Sequence, residues 1–270
     1  MKKQAAIFIS FMICILLCEA QVDSSFSLIR KINGEIESFA VDHLDNLYLL
    51  STSNQLKKLD AKGDSVAVFN NVRNYGKVSL IDVSNPLRVL LYYKDFSTVV
   101  VLDRLLNIRS TIDLRKQNIF QVQTVGLSYD NKLWLYDEFE HKLKKIDEDG
   151  KLLFETSDFR QLFNEAFSFT SIFDHEGFLY LYDKMKGAFV FDYYGALEKR
   201  IPLTGLQNFK AAGKFLLGIR NDSLVRYQSD IFQSREIELP LALRQASSIN
   251  FTSGRVYALK SDGLEIYLQK

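Results

Sequence analysis

Gln55-Leu-Lys-Lys-Leu-Asp60, Thr98-Val-Val-Val-Leu-Asp103, Lys142-Leu-Lys-Lys-Ile-Asp147 and Ala188-Phe-Val-Phe-Asp192 are four strand-like segments that each close on an aspartate. The aspartates lie 43, 44 and 45 residues apart. A fixed period of this size, with strand pattern inside it, is the sequence form of a ring of four-stranded sheets.

The unit is filled out by its best copies: Phe39-Ala-Val-Asp-His-Leu-Asp-Asn-Leu-Tyr-Leu-Leu50, Val125-Gly-Leu-Ser-Tyr-Asp-Asn-Lys-Leu-Trp-Leu-Tyr-Asp137 and Ser171-Ile-Phe-Asp-His-Glu-Gly-Phe-Leu-Tyr-Leu-Tyr-Asp183. Each reads as an apolar strand, a tight polar turn and a second strand. Asp45-Asn46, Asp130-Asn131 and Glu176-Gly177 supply residues that tolerate positive φ, as short hairpins need. The Asp-terminated strand is then the third. A turn such as Ala61-Lys-Gly63 or Glu148-Asp-Gly150 leads to a fourth, Ser65–Phe69 or Lys151–Phe154. Four strands make one propeller blade.

Weaker copies open a second unit at Val78–Asp82 and Arg88–Tyr92, a degenerate fifth at Ala211–Ile219 and Leu224–Tyr227, and a sixth at Ile249–Phe251 and Val256–Leu259. The sixth ends after its third strand, Leu264–Leu268. Phe26–Ile32, ahead of the first hairpin, has the pattern of the missing strand. The fold expected is therefore all-β: a six-bladed β-propeller whose last blade is completed by the N-terminal strand.

Residues 1–20 read differently. Lys2 and Lys3 precede an apolar run from Ala5 to Leu17, and Cys18-Glu-Ala20 fits signal-peptidase cleavage. The run is shorter than the roughly twenty residues a membrane-spanning helix needs. Leu17 and Ile13 precede the two cysteines, Cys18 and Cys14, which disfavours lipid attachment. The expected organisation is a signal peptide (1–20) and a single propeller domain (21–270), exported to the periplasm without membrane insertion. Both cysteines fall in the leader, so the exported part has none. Loss of Lys2, Lys3 and Glu19 takes the formal charge from +1 to zero. That balance argues against a nucleic-acid partner. The run Lys142–Lys145 is expected to be a solvated strand face.

Catalytic patterns are sparse. His43 and His175 occupy the same position in opposite blades, so they are expected to stand far apart on an outer face. His141 lies in another loop. No pair has metal-ligand spacing, and no G-x-S-x-G occurs. The four repeated aspartates read as turn residues accepting backbone N–H bonds. No cofactor and no metal are expected. Binding is the function class that remains. The second-to-third and blade-to-blade connections share one face of a propeller, and here they carry Tyr93, Phe96, Phe139 and Met185. The longest connection, 157–168, places Phe159 and Phe163 on one side of a short helix, with Ser157 or Asp158 as its cap. These six are the candidate partner-binding residues. The alternative for the 157–168 stripe is packing onto its own blades.

The hairpin Val41-Asp-His-Leu-Asp-Asn-Leu-Tyr-Leu49 resembles the repeat of NHL-type propellers, with their Val-Asp-x-x-Gly-Asn-Leu-Tyr-Val core, over nearly all of 21–270. The chain is also similar to gluconolactonase and regucalcin propellers, which hold calcium through Glu, Asn and Asp side chains at the channel. Only Glu37 and Asn250 match such a ring, and that likeness implies a calcium-dependent lactonase-like hydrolase. A leader ending Ala20-Gln21 on a degenerate propeller resembles exported proteins of Gram-negative bacteria that use type IX secretion. That likeness implies an envelope-protein partner, an outer-membrane translocon barrel that the propeller would plug or scaffold. The reading is a non-enzymatic periplasmic propeller that binds another envelope protein. A glycan- or peptide-binding propeller is the alternative.

Overall fold

The computed structural model describes residues 26–70 and 75–269; the leader lies outside them. Six four-stranded antiparallel sheets form the ring. The first blade runs Ile36–Val41, Leu47–Ser51, Leu56–Leu59 and Ser65–Phe69, from inner to outer strand, and the next four blades repeat this order. The sixth takes Ser248–Phe251, Arg255–Lys260 and Gly263–Gln269 from the C-terminal end and Phe26–Asn33 as its outer strand. The ring is thus closed by the two ends of the chain, as the sequence predicts.

Closure is a backbone match with little room to spare. Phe26 pairs with Gln269 and Asn33 with Gly263, with one bulge between Leu28 and Arg30. Gly263 has φ +143°, and a Cβ there would stand 2.2 Å from the Ile32 carbonyl oxygen. Lys31 adds an ion pair to Asp262. Asp45, in the first blade's inner turn, takes hydrogen bonds from Thr252 Oγ1 and Tyr257 OH at 2.7 and 2.6 Å and pairs with Arg255 at 3.0 Å, which ties the sixth blade to the first.

The repeated aspartates are turn residues in the expected sense. In Asp60, Asp103, Asp147 and Asp192, Oδ1 accepts the N–H groups two and four residues on, at 2.8–3.0 Å. The third residue after each aspartate has positive φ: Gly63, Leu106, Gly150 and Gly195. Leu106 departs from the glycine rule. Its side chain is buried between the first two blades, and that packing offsets the strain. Asp45, Asn131 and Gly177 supply positive φ in the inner turns.

The apolar core is six seams, each drawn from two neighbouring blades. Second and third strands are covered on both faces by adjacent blades, which is why Leu133–Asp137 and Gly187–Phe191 are buried throughout. This corrects the reading of Lys142–Lys145. Lys144 and Lys145 are buried: Lys144 reaches Asp137 at 2.8 Å and Glu140 at 2.7 Å, and Lys145 reaches Asp130 at 2.8 Å. The stem and ammonium of Lys145 lie against Trp134, Tyr129 and Tyr193. Their charges are tolerated because each has a carboxylate partner.

Because no residue other than glycine fits opposite Ile32, Gly263→Val is expected to destabilise the whole ring. Thermal unfolding should report a loss of at least about 2 kcal/mol. A chain beginning at Gly34 should unfold still more readily, since it bares the edge of Gly263–Gln269. Unchanged melting of either variant would contradict the shared blade.

Candidate functional site

The two faces of the ring differ. The inner-to-second and third-to-outer turns make one face, here called the turn face. The second-to-third loops and the links between blades make the connection face.

On the connection face, exposed apolar side chains follow one another around an arc from the second blade to the fourth. These are Phe96 (53% exposed), Phe120, Phe139 (67%), Leu162 (56%) and Met185 (82%). The loops of Phe139 and Met185 are held from below. Asp137 Oδ1 accepts the N–H groups of Phe139 and Glu140, and Asp183 Oδ1 those of Met185 and Lys186. Both aspartates are almost wholly buried. The short helix Phe159–Phe163 forms as expected, capped by Asp158, whose carboxylate accepts the Arg160 N–H at 2.7 Å. The second-to-third loops of the other three blades are polar: Thr52-Ser-Asn54, Asn221-Asp222 and Ser261-Asp262.

Three of the candidate residues are corrected. Tyr93 belongs to the strand Arg88–Tyr93 and is buried between the first and second blades. Phe159 is fully buried, stacked on Phe191 with ring centroids 5.3 Å apart. Phe163 is half-buried against Phe159 and Phe167. The helix turns its phenylalanines down onto its own blades, and its outer side presents Leu162. Phe96, Phe139 and Met185 remain at the surface. Phe96 folds over Gly76, where an added Cβ would meet its ring at 2.8 Å.

A cavity of about 450 Å³ lies on the ring axis, toward the turn face. The inner strands build it, and in five of them the register with the second strand shifts, which breaks the regular alternation of side chains. His43 and His175 both line this cavity, a correction to their expected place on an outer face; they remain on opposite blades. They sit on turns that converge on one mouth. Asp82, Asp174 and Lys210 line it too, and the sequence reading missed them. The available signal was a charge inside an otherwise apolar inner strand.

Two of these charges stitch neighbouring blades. Asp82 Oδ2 accepts the Leu127 N–H at 2.7 Å, and Asp174 Oδ2 the Tyr129 N–H at 2.7 Å. Burial raises both carboxyls, that of Asp174 to about 6, while the N–H bonds pull the other way. Lys210 donates to Asn250 Oδ1 at 2.6 Å. Its side chain is half-buried on the cavity wall, and desolvation there brings its pKa down to about 8.

Glu37 and Asn250, the residues matching a calcium ring, are not a pair. Asn250 faces the Lys210 ammonium, a poor neighbour for a cation, and Glu37 pairs with Lys77 away from the cavity wall. Among the described residues no three His, Cys, Asp or Glu side chains are placed to hold a metal ion.

No protein-family model matches the chain, and no curated protein matches it. Solved structures share its fold. A catalytically inactive virginiamycin B lyase from Staphylococcus aureus, solved with quinupristin, has a TM-score of 0.62 at 12% identity, covering 90% of this chain and 99% of that one. The Pan2 WD40 domain of Neurospora crassa has a TM-score of 0.58 at 9% identity, covering 88% and 82%. BamB from Moraxella catarrhalis gives 0.53 at 11% identity, covering 91% and 98%. At these identities the likeness is one of fold alone.

Asp174 makes stability depend on pH. Its folded pKa, about 6, lies above the ordinary carboxyl value, so the native state holds the proton more tightly. That contribution is complete below about pH 4 and is lost as pH rises through 6. Asp174→Asn keeps an acceptor for Tyr129 and does not titrate. Relative to this variant, the wild type should lose about 2 kcal/mol between pH 4 and pH 7.5 in urea unfolding. A constant difference would show that Asp174 is not shifted.

Proposed function

We propose that the chain is an exported, non-enzymatic propeller that docks another envelope protein through the connection face of its second to fourth blades. The observation that carries this reading is the arc of exposed Phe96, Phe120, Phe139, Leu162 and Met185, of which Phe139 and Met185 stand on loops fixed by buried Asp137 and Asp183. Large apolar side chains on preorganised loops lose little entropy on binding and serve as interface anchors. A formal charge of zero after loss of the leader suits a protein surface better than an anionic polymer. The leader-like residues 1–20 support placement in the periplasm. The specific instance we put forward is the plug or scaffold subunit of a type IX outer-membrane translocon. It is supported by the leader together with a degenerate propeller.

The turn face also exposes apolar residues, among them Leu87, Leu105, Tyr194 and Phe232. With Leu44 and Tyr129 they run over the turns of the first five blades, so exposure alone does not choose between the faces. The test therefore compares the two faces. Phe139→Ala with Met185→Ala should leave the melting temperature nearly unchanged and abolish recovery of the partner from native membranes, a loss of about 2 kcal/mol or more per anchor. Tyr194→Ala, on the turn face, should not reduce recovery. Trp134→Ala, fully buried and edge-on to Phe154, should cost about 3–5 kcal/mol of stability. Retention of the partner by the folded double variant would place docking elsewhere.

A further inference from the structure

We propose that the axial cavity binds a small monocarboxylate with an apolar body, its carboxylate held by the Lys210 ammonium and the Asn250 amide. This site is independent of the docking surface, since the cavity is displaced toward the opposite face.

The ammonium of Lys210 has three donor hydrogens. Asn250 Oδ1 takes one, and no carboxylate among the described residues pairs with this lysine. A partly desolvated charge without a counter-charge is costly to a fold, and its weakened hold on a proton agrees with that cost. The orientation of Asn250 is set by its neighbours. Its side-chain oxygen accepts both from Lys210 and from the Phe251 N–H at 2.9 Å. Both neighbours are donors, so the oxygen faces them and the NH₂ group is left for another acceptor. Asn250 lies on the cavity wall, so ammonium and amide present donors from adjacent blades to the same space.

The rest of the wall narrows the ligand. Ile81, Val83, Ile172, Phe173 and Phe209 make it largely apolar, and about 450 Å³ lies within the usual range of small-molecule sites. Asp82 and Asp174 also face the cavity. They oppose a second negative charge, so phosphate and dicarboxylates are disfavoured against a monocarboxylate.

Titration calorimetry on the purified protein tests this, with octanoate and 3-phenylpropionate as probes and octanamide and inorganic phosphate as comparators. Both carboxylates should bind at pH 7, and neither comparator should match them. Lys210→Met should weaken carboxylate binding at least tenfold. In the wild type, affinity should fall roughly tenfold from pH 7 to pH 9 as Lys210 loses its proton. The other titratable groups lining the cavity are Asp42, His43, Asp82, Asp174 and His175; Arg220, on the strand beside Lys210, is paired with Glu236. These groups are unchanged in Lys210→Met, so any pH dependence they cause persists in that variant, and the tenfold fall due to Lys210 should be missing from its profile. The proposal is overturned if neither carboxylate binds, if octanamide or phosphate binds as well, or if Lys210→Met keeps full affinity. Should that variant not fold, a wild-type affinity that does not change with pH overturns it.

Discussion

Everything in this molecule depends on one antiparallel pairing between its two ends, Phe26–Asn33 against Gly263–Gln269. Each blade buries its second and third strands only because a neighbour covers them. A ring that opened at one joint would expose two seams' worth of apolar surface and two sheet edges at once. The pairing also creates the axial cavity, which has walls only while all six inner strands are held around the axis. The approach of Gly263 to Ile32 shows how tightly the joint is made.

Within the closed ring, polar groups do two kinds of work. One aspartate per third strand folds the turn to the outer strand, in the same hydrogen-bond pattern in four blades. Other polar groups cross the seams: Asp82 to Leu127, Tyr129 to Asp174, Leu206 to Tyr182 and Asn208 to Ile249. These bonds satisfy groups that the packed blades have removed from water, which is why charged residues persist in an interior of this kind. Lys210 and Lys58 depart from this among the described residues: Lys210 has its one bond to Asn250 and Lys58 bonds only to the Pro86 and Arg104 carbonyls, so neither has an ion-pair partner.

The sequence carried the fold because the fold is periodic. Asp60, Asp103, Asp147 and Asp192 mark the blades, and the missing last strand identifies Phe26–Ile32 as its replacement. The candidate site was only partly legible. Phe139 and Met185 could be read as exposed because they interrupt short polar loops. Tyr93 could not be separated from them, since nothing local distinguishes the end of a buried strand from the start of a loop. Phe159 lies on a helix whose orientation is set by tertiary packing. Lys144 and Lys145 look solvated until the adjacent blades and their carboxylate partners are in place. The cavity residues were hidden by the inner-strand bulges, which break the alternation that tells inward from outward.

The docking arc and the axial cavity lie toward opposite faces, so a bound protein on one need not obstruct a ligand in the other. The docking arc is the central claim. Its most direct test is photo-crosslinking in cells of the source organism, with a crosslinking residue placed at Phe139, at Met185 or, on the opposite face, at Tyr194. The account predicts that Phe139 and Met185 crosslink to the same discrete envelope protein and that Tyr194 does not. Crosslinks from Tyr194 alone, or none from Phe139 and Met185, would contradict it.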